Sequence, residues 1–156
     1  MDIRLDGKSA IVTGGSKGLG LAIAEEYAAS GADVAVLARD AATLADAKAA
    51  IQRKGGKGKI LAISCDVSKA AAIEAACKQC DSEFGKVDIF VNNAGQSTRG
   101  PSETITDAQW QADLDLKLFA QIRFCRIYRR LERQVQFQIN MGQGNKLLLP
   151  APRFVN

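Results

Sequence analysis

The segment Thr13-Gly14-Gly15-Ser16-Lys17-Gly18-Leu19-Gly20 follows the apolar run Ala10-Ile11-Val12 and leads into Leu21-Ala22-Ile23-Ala24-Glu25-Glu26-Tyr27. A tight turn between a strand and a helix needs backbone that can take positive φ, and a phosphate approaching the turn needs bare amide groups; glycine supplies both. The helix that follows opens with N–H groups that have no intrahelical acceptor, at the positive end of its dipole. Gly14, Gly15, Ser16, Lys17, Gly18, Leu19 and Gly20 therefore form a candidate pyrophosphate cradle. The spacing is Gly-x-x-x-Gly-x-Gly, not the commoner Gly-x-Gly-x-x-Gly, and glycines this close together also suit a mobile turn.

A second polar position lies at the end of the next apolar run. In dinucleotide sites an acid roughly 20 residues after the glycines binds the adenosine ribose 2′-hydroxyl, whereas an arginine accommodates a 2′-phosphate. Here Asp33-Val34-Ala35-Val36-Leu37-Ala38 ends in Arg39. With Lys17 it offers two cations for charge-assisted hydrogen bonds to a phosphate. That chemistry points to NADP(H) ahead of NAD(H). The other reading of Arg39 is a pairing with Asp40 or with solvent.

Metal chemistry is not expected. The four cysteines are Cys65, Cys77, Cys80 and Cys125, and only Cys77-Lys78-Gln79-Cys80 is closely spaced; the chain has no histidine to complete a zinc site. Cys77 and Cys80 fall inside a predicted helix, where small apolar packing is the expected role, and reduced thiols fit a cytosolic compartment.

The elements that must hold these residues alternate. After the first helix, Ser30-Gly31-Ala32 closes the unit and the strand 33–38 reads as buried on both faces. Ala41 to Lys54 is alanine-rich and helix-favouring, with Gly55-Gly56 as its stop. Lys59 to Ser64 is a third strand, Ser68 is placed to cap a helix running to Phe84, and Val87 to Asn92 is a fourth strand. A long helix runs from Thr106 or Asp107 to Arg133, with Leu114, Leu118, Ile122 and Cys125 on one face; Val135 to Ile139 alternates as a fifth strand. Strands and helices in this order predict an α/β fold, a Rossmann-type doubly wound parallel sheet of about five strands covered on both faces. No linker or repeat divides residues 1–156, so one domain is expected.

The charge is unevenly placed: residues 1–116 hold 13 basic and 16 acidic side chains, residues 117–156 hold 8 basic and 1 acidic. Arg123, Arg126, Arg130 and Arg133 recur at helical spacing, the pattern of a solvated helix face, so nucleic acid is not the expected partner. No run approaches the ~20 apolar residues of a membrane span, and Met1-Asp2-Ile3-Arg4 is unlike a signal peptide; no membrane association and a cytoplasmic location are expected.

The cradle, Asp66-Val67 and Asn92-Asn93-Ala94-Gly95 together resemble the short-chain dehydrogenase/reductase family, in the family's order and at its strand ends, over residues 5 to about 125. The resemblance implies that Gly14 to Lys17 and Leu19 line the pyrophosphate and ribose, that Asp66 accepts from the adenine amine with Val67 beside it, and that Asn93, Ala94 and Gly95 pass along the cofactor. Read alone, Asp66 is a helix-preceding cap and the asparagines are turn formers. The family resemblance further implies hydride transfer between a nicotinamide and a small carbonyl or alcohol substrate. It also implies a Tyr-x-x-x-Lys pair in which the Lys lowers the tyrosine pKa, a Ser that orients the carbonyl, and an Asn in the long helix.

Here the sequence departs from the family. Tyr128 is followed four residues on by Glu132, Met141 stands where the Ser would be, and Lys117 occupies the Asn position, seven residues beyond Trp110. Lys117 is either a substituted proton relay or one half of an i,i+4 ion pair with Asp113. Compared with a full member the fold is cut short, with the fifth strand an open edge beside Leu147-Leu148-Leu149, so a homo-oligomer or a covering partner is expected. Two functions stand: an NADP(H)-dependent oxidoreductase, or a non-catalytic dinucleotide-binding or interaction protein without the Tyr-x-x-x-Lys chemistry.

Overall fold

The computed structural model describes residues 4–96, 100–128, 138–141 and 145–148. Its centre is β1 (Ser9–Thr13), buried at all five positions. A short run of apolar and β-branched residues with no polar alternation suits a strand covered on both faces. β1 pairs in parallel with β2 (Asp33–Ala38) on one side and β4 (Ile89–Val91) on the other, and β2 pairs with β3 (Ile60–Ser64), giving the order β3-β2-β1-β4.

Side chains alternate across the sheet and divide the core in two. Val12, Val34 and Val36 pack with Ala24 and Ala28 of α1 (Gly18–Ala29) and with Leu44 and Ile51 of α2 (Ala41–Arg53). On the opposite face Ile11, Ala35, Leu37 and Ile63 meet Ile73, Ala76, Cys77 and Cys80 of α3 (Ala70–Phe84), together with Ala120 and Phe124. This is the doubly wound parallel sheet. The chain steps outward from β1 to β3 and then returns to the far side of β1, which makes the carboxyl ends of β1 and β4 a topological switch point.

Local signals explain the element ends. Asp40 caps α2, its Oδ1 accepting from the Thr43 N–H at 2.7 Å. Thr106 caps α4 (Asp107–Leu114) in a reciprocal capping box with Gln109. The expected cap of α3 is not Ser68: Lys69 holds the N-cap position without a side-chain bond, because Ser68 is engaged with Asp66.

The long helix differs from the expectation in two ways. It is interrupted by a π turn (Asp115–Phe119) before α5 (Ala120–Ile127), and residues 129–133 lie outside the described residues. The inward stripe is Leu116, Ala120, Phe124 and Tyr128, while Leu114 and Leu118 stay 42% and 43% exposed. The predicted face follows side-chain size on an ideal helix, whereas the positions that are fully buried are the small Ala120 and the aromatic Phe124.

The fifth strand is corrected too. Gln138–Met141 forms β5, but it pairs antiparallel with β6 (Asn145–Leu148) as a separate two-stranded sheet, so the parallel sheet has four strands among the described residues. Leu147 and Leu148 are therefore part of a pairing strand, not an apolar run beside an open edge. Alternation of residues identifies a strand but carries nothing about its partner. The first part of the expected strand, residues 135–137, lies outside the described residues.

Cys65, Cys77 and Cys80 are buried in the second core, and burial pushes their thiols up to about 11, 11 and 12. Such thiols are packing groups at neutral pH, with little thiolate to react. Among the described residues no group of three metal-ligating side chains forms, and no helix is long and apolar enough to cross a membrane.

Candidate functional site

The site is assembled by Thr13, the last residue of β1, which is 1% exposed. Its Oγ1 donates to the Val91 carbonyl at 3.2 Å and accepts from the Asn93 and Ala94 N–H groups, both at 3.0 Å. The Asn93 side chain returns the contact: Nδ2 donates to the Thr13 carbonyl at 3.1 Å and to the Gly14 carbonyl at 3.2 Å. The end of β4 and the glycine turn are thus locked together.

Within the turn, the Gly14 and Gly15 N–H groups both donate to the Leu37 carbonyl. Those two amides are therefore engaged within the fold and are not offered to an anion. Lys17 is the N-cap of α1 and makes no side-chain cap, so the first-turn amides of Gly18, Leu19 and Gly20 have no protein partner of that kind. Gly18 has φ +57 with open space where a side chain would begin, and no residue but glycine takes that conformation without strain. Gly20 serves packing instead, since a Cβ there would strike the Gly14 carbonyl oxygen.

A cleft of about 1040 Å³ opens along the carboxyl ends of the strands, where ligands bind in open parallel sheets. Gly14, Ser16 and Lys17 line it from the turn, Arg39 from the end of β2, Asp66 and Val67 from the end of β3, and Asn93, Ala94 and Gly95 from the end of β4. Every strand end named from the sequence thus reaches one cleft. Arg39 is exposed and forms no ion pair among the described residues; Asp40 is turned to α2 as its cap.

Asp66 is held on one oxygen. Ser68 donates to its Oδ1 twice, from N–H at 3.0 Å and from Oγ at 2.7 Å. Burial alone would raise this carboxyl, but the Ser68 hydrogen bonds, with Arg39 and Lys69 near, hold it below the usual carboxylate range. An ionised Asp66 with Oδ2 unengaged among the described residues is an acceptor for an amine. The lining suits a nucleotide in kind, with backbone of the turn and cations for phosphate and a carboxylate for an amine, while Gly15, Gly18, Leu19 and Gly20 of the expected cradle are not among the residues that line the cleft.

The proton-transfer candidates are placed differently. Lys117, in the π turn, has Nζ 2.8 Å from Asp113 Oδ1 and 2.9 Å from Oδ2, the i,i+4 pairing. Asp113 lines the cleft wall with Leu116. Tyr128 packs against the core behind the sheet, its hydroxyl donating to the Cys77 carbonyl at 3.3 Å, and burial pushes its pKa well above the ordinary tyrosine value. It cannot exchange protons with a ligand in the cleft. Met141, at the place of the family's Ser, lies in β5.

Two residues that build the site escape sequence reasoning. Thr13 reads only as the start of the glycine motif; a hydroxyl directly after the apolar run Ala10-Ile11-Val12 of a buried strand is the available signal. Arg123 reads as part of a solvated face, yet it points inward and donates to the Ser68 carbonyl. Helical spacing among arginines carries no sign of that contact.

A family model described as short chain dehydrogenase matches residues 8–136. D-threitol dehydrogenase from Mycolicibacterium smegmatis is 40% identical over 124 residues, 80% of this chain and 47% of that protein. The 3beta-hydroxysteroid dehydrogenase 1 from Eggerthella lenta is 35% identical over 156 residues, 97% of this chain and 59% of that protein. Among solved structures, L-sorbose reductase from Gluconobacter frateurii, complexed with NADPH and L-sorbose, matches with a TM-score of 0.79 at 32% identity, over 86% of this chain and 51% of that one. The chain spans about half the length of the curated relatives it matches. The matched residues contain the glycine turn, the Asp66 loop and the Asn93 lock, and the four parallel strands bring all three to one cleft, so the chain belongs to the short-chain dehydrogenase family.

Proposed function

We propose that residues 1–156 form one dinucleotide-binding domain of a cytoplasmic, NADP(H)-dependent oxidoreductase that moves hydride between nicotinamide and a carbonyl or alcohol substrate. The observation that carries the cofactor reading is Arg39: an exposed guanidinium on the cleft wall with no ion pair among the described residues, in the same cleft as Lys17. Solved relatives complexed with NADPH and with NADP support it. In this reading the first turn of α1 and Ser16 bind the pyrophosphate, Arg39 and Lys17 bind the 2′-phosphate, and Asp66 with Val67 orients the adenine. Asn93 holds the turn that Ala94 and Gly95 extend along the cofactor. Nicotinamide, when bound, supplies or accepts the hydride.

Arg39→Ala tests the assignment. A charge-assisted phosphate contact contributes on the order of 1.5–3 kcal/mol, or roughly ten- to a hundredfold in affinity. Fluorescence titration is expected to show NADPH bound more tightly than NADH by the wild type, with the preference lost in the variant. Equal wild-type affinities for the two nucleotides would remove the assignment.

We also infer a homo-oligomer. Trp110, Leu114 and Leu118 are 48%, 42% and 43% exposed and recur at i,i+4 along one side of α4 and the π turn. An apolar stripe of that kind is costly in water and suits a copy of itself across a twofold axis. Light scattering is expected to give a mass of at least two chains, and Leu114→Glu should return it to one; a single-chain mass for the wild type rejects the inference.

A further inference from the structure

Arg123 ties the long helix to the loop that carries Asp66. Its Nη1 donates to the Ser68 carbonyl at 2.8 Å, a contact between residues 55 apart in sequence. Nη2 lies 3.4 Å from Asp115 Oδ1, and the guanidinium stands 5.7 Å from the centroid of the Phe119 ring. Asp115 and Phe119 are the two ends of the π turn. The planar fork is therefore fixed by an anion and a ring while one of its nitrogens serves the loop. Only 26% of the side chain is exposed, which a solvated arginine would not show.

Ser68 is held from both sides. Arg123 takes its carbonyl, and its own N–H and hydroxyl converge on Asp66 Oδ1. Among the described residues no other hydrogen bond ties residues 66–69 to a different element; the remaining ones are local to the loop or to the start of α3. Two donors on Oδ1 fix the carboxylate's orientation, and that orientation is only as firm as the position of Ser68.

We propose that Arg123 is a positioning residue for adenine recognition: by anchoring the Ser68 carbonyl it holds the Asp66 carboxylate where an exocyclic amine can donate to it. The proposal rests on the dinucleotide reading above, with Asp66 as the adenine acceptor. It makes base discrimination depend on a side chain that touches no part of the cofactor.

The test compares two ligands that differ at the base. NADPH carries the adenine amine; the deamino analogue, nicotinamide hypoxanthine dinucleotide phosphate, carries a carbonyl oxygen in its place. Titrate both against the full chain as wild type, Arg123→Met and Arg123→Lys. The wild type is expected to favour NADPH, and Arg123→Met to weaken NADPH about five- to tenfold, the order one ordinary net hydrogen bond carries because Asp66 is misaligned but not removed, with the analogue changed by less than about twofold. Arg123→Lys keeps the charge and the packing stem but not the fork, and should give an intermediate ratio; it also serves if the Met variant does not fold. A wild-type ratio in the variants overturns the proposal, as does equal weakening of both ligands, which is what general loosening of the domain would give. Wild-type protein that binds neither ligand, or binds both equally, overturns the adenine reading itself and the proposal with it.

Discussion

Mixed with NADPH and a panel of small ketones and aldehydes, the 156-residue chain is expected to bind the nucleotide and to oxidise it slowly or not at all. General acid–base transfer by a positioned side chain typically contributes ~10²–10⁴-fold in rate. The two tyrosines cannot supply it: Tyr27 and Tyr128 are followed four residues on by Gly31 and Glu132, and Tyr128 is turned into the core. Binding does not depend on that group, because none of the residues assigned to the cofactor is one of the proton-transfer candidates. Single-turnover absorbance of NADPH is the measurement, and rapid substrate-dependent oxidation would defeat the expectation. Lys117→Ala identifies the source of any slow turnover. Loss of that rate assigns the proton to the Lys117 ammonium, and an unchanged rate assigns Lys117 to its ion pair with Asp113.

Phe124→Ala is expected to cost about 3–5 kcal/mol of folding stability, the range for removing a buried aromatic side chain. Phe124 is fully buried, and its ring stacks on Phe90 of β4 with centroids 4.5 Å apart. The ring joins α5 to the sheet at the strand whose far end carries Asn93. Against a typical total of roughly 5–15 kcal/mol the loss is large enough to populate unfolded chains at room temperature. Urea denaturation followed by circular dichroism reads it directly. A shift below about 1 kcal/mol, the size of a surface change, would mean that α5 does not pack on the sheet as described.

What is legible in the sequence follows from the range over which each signal acts. The strand 33–38 and helix 41–53 are readable because burial on both faces and alanine-rich composition are properties of the segment itself. The cradle is readable for the same reason, since its function depends on contiguous backbone. Ser68 reads as a cap because a hydroxyl before a helix has two uses, and the choice lies with Asp66 and Arg123. Leu114 and Leu118 are misplaced because the two possible apolar stripes, Leu114-Leu118 and Leu116-Ala120-Phe124, lie on one helix, and the choice between them is made by the sheet and α3, outside the segment; nor does anything in Asp115-Leu116-Lys117-Leu118-Phe119 announce the π turn. The pairing of β5 with β6 is a relation between segments, to which the alternation within one segment is blind.

The lock made by Thr13 and Asn93 has a consequence for the newly made chain. The glycine turn is complete once Gly20 exists, but its fastening comes from residues 80 positions away. At synthesis rates of ~5–20 residues per second, roughly 4–16 s separate the two ends of that bond. Throughout most of that interval the ribosome carries an intact nucleotide fingerprint whose turn is braced from the β2 side alone, through the Leu37 carbonyl. On the dinucleotide reading, a nascent chain is expected to capture the cofactor only once Asn93 and Ala94 have been added, and a shorter nascent chain that displays the whole motif should pass NADPH by.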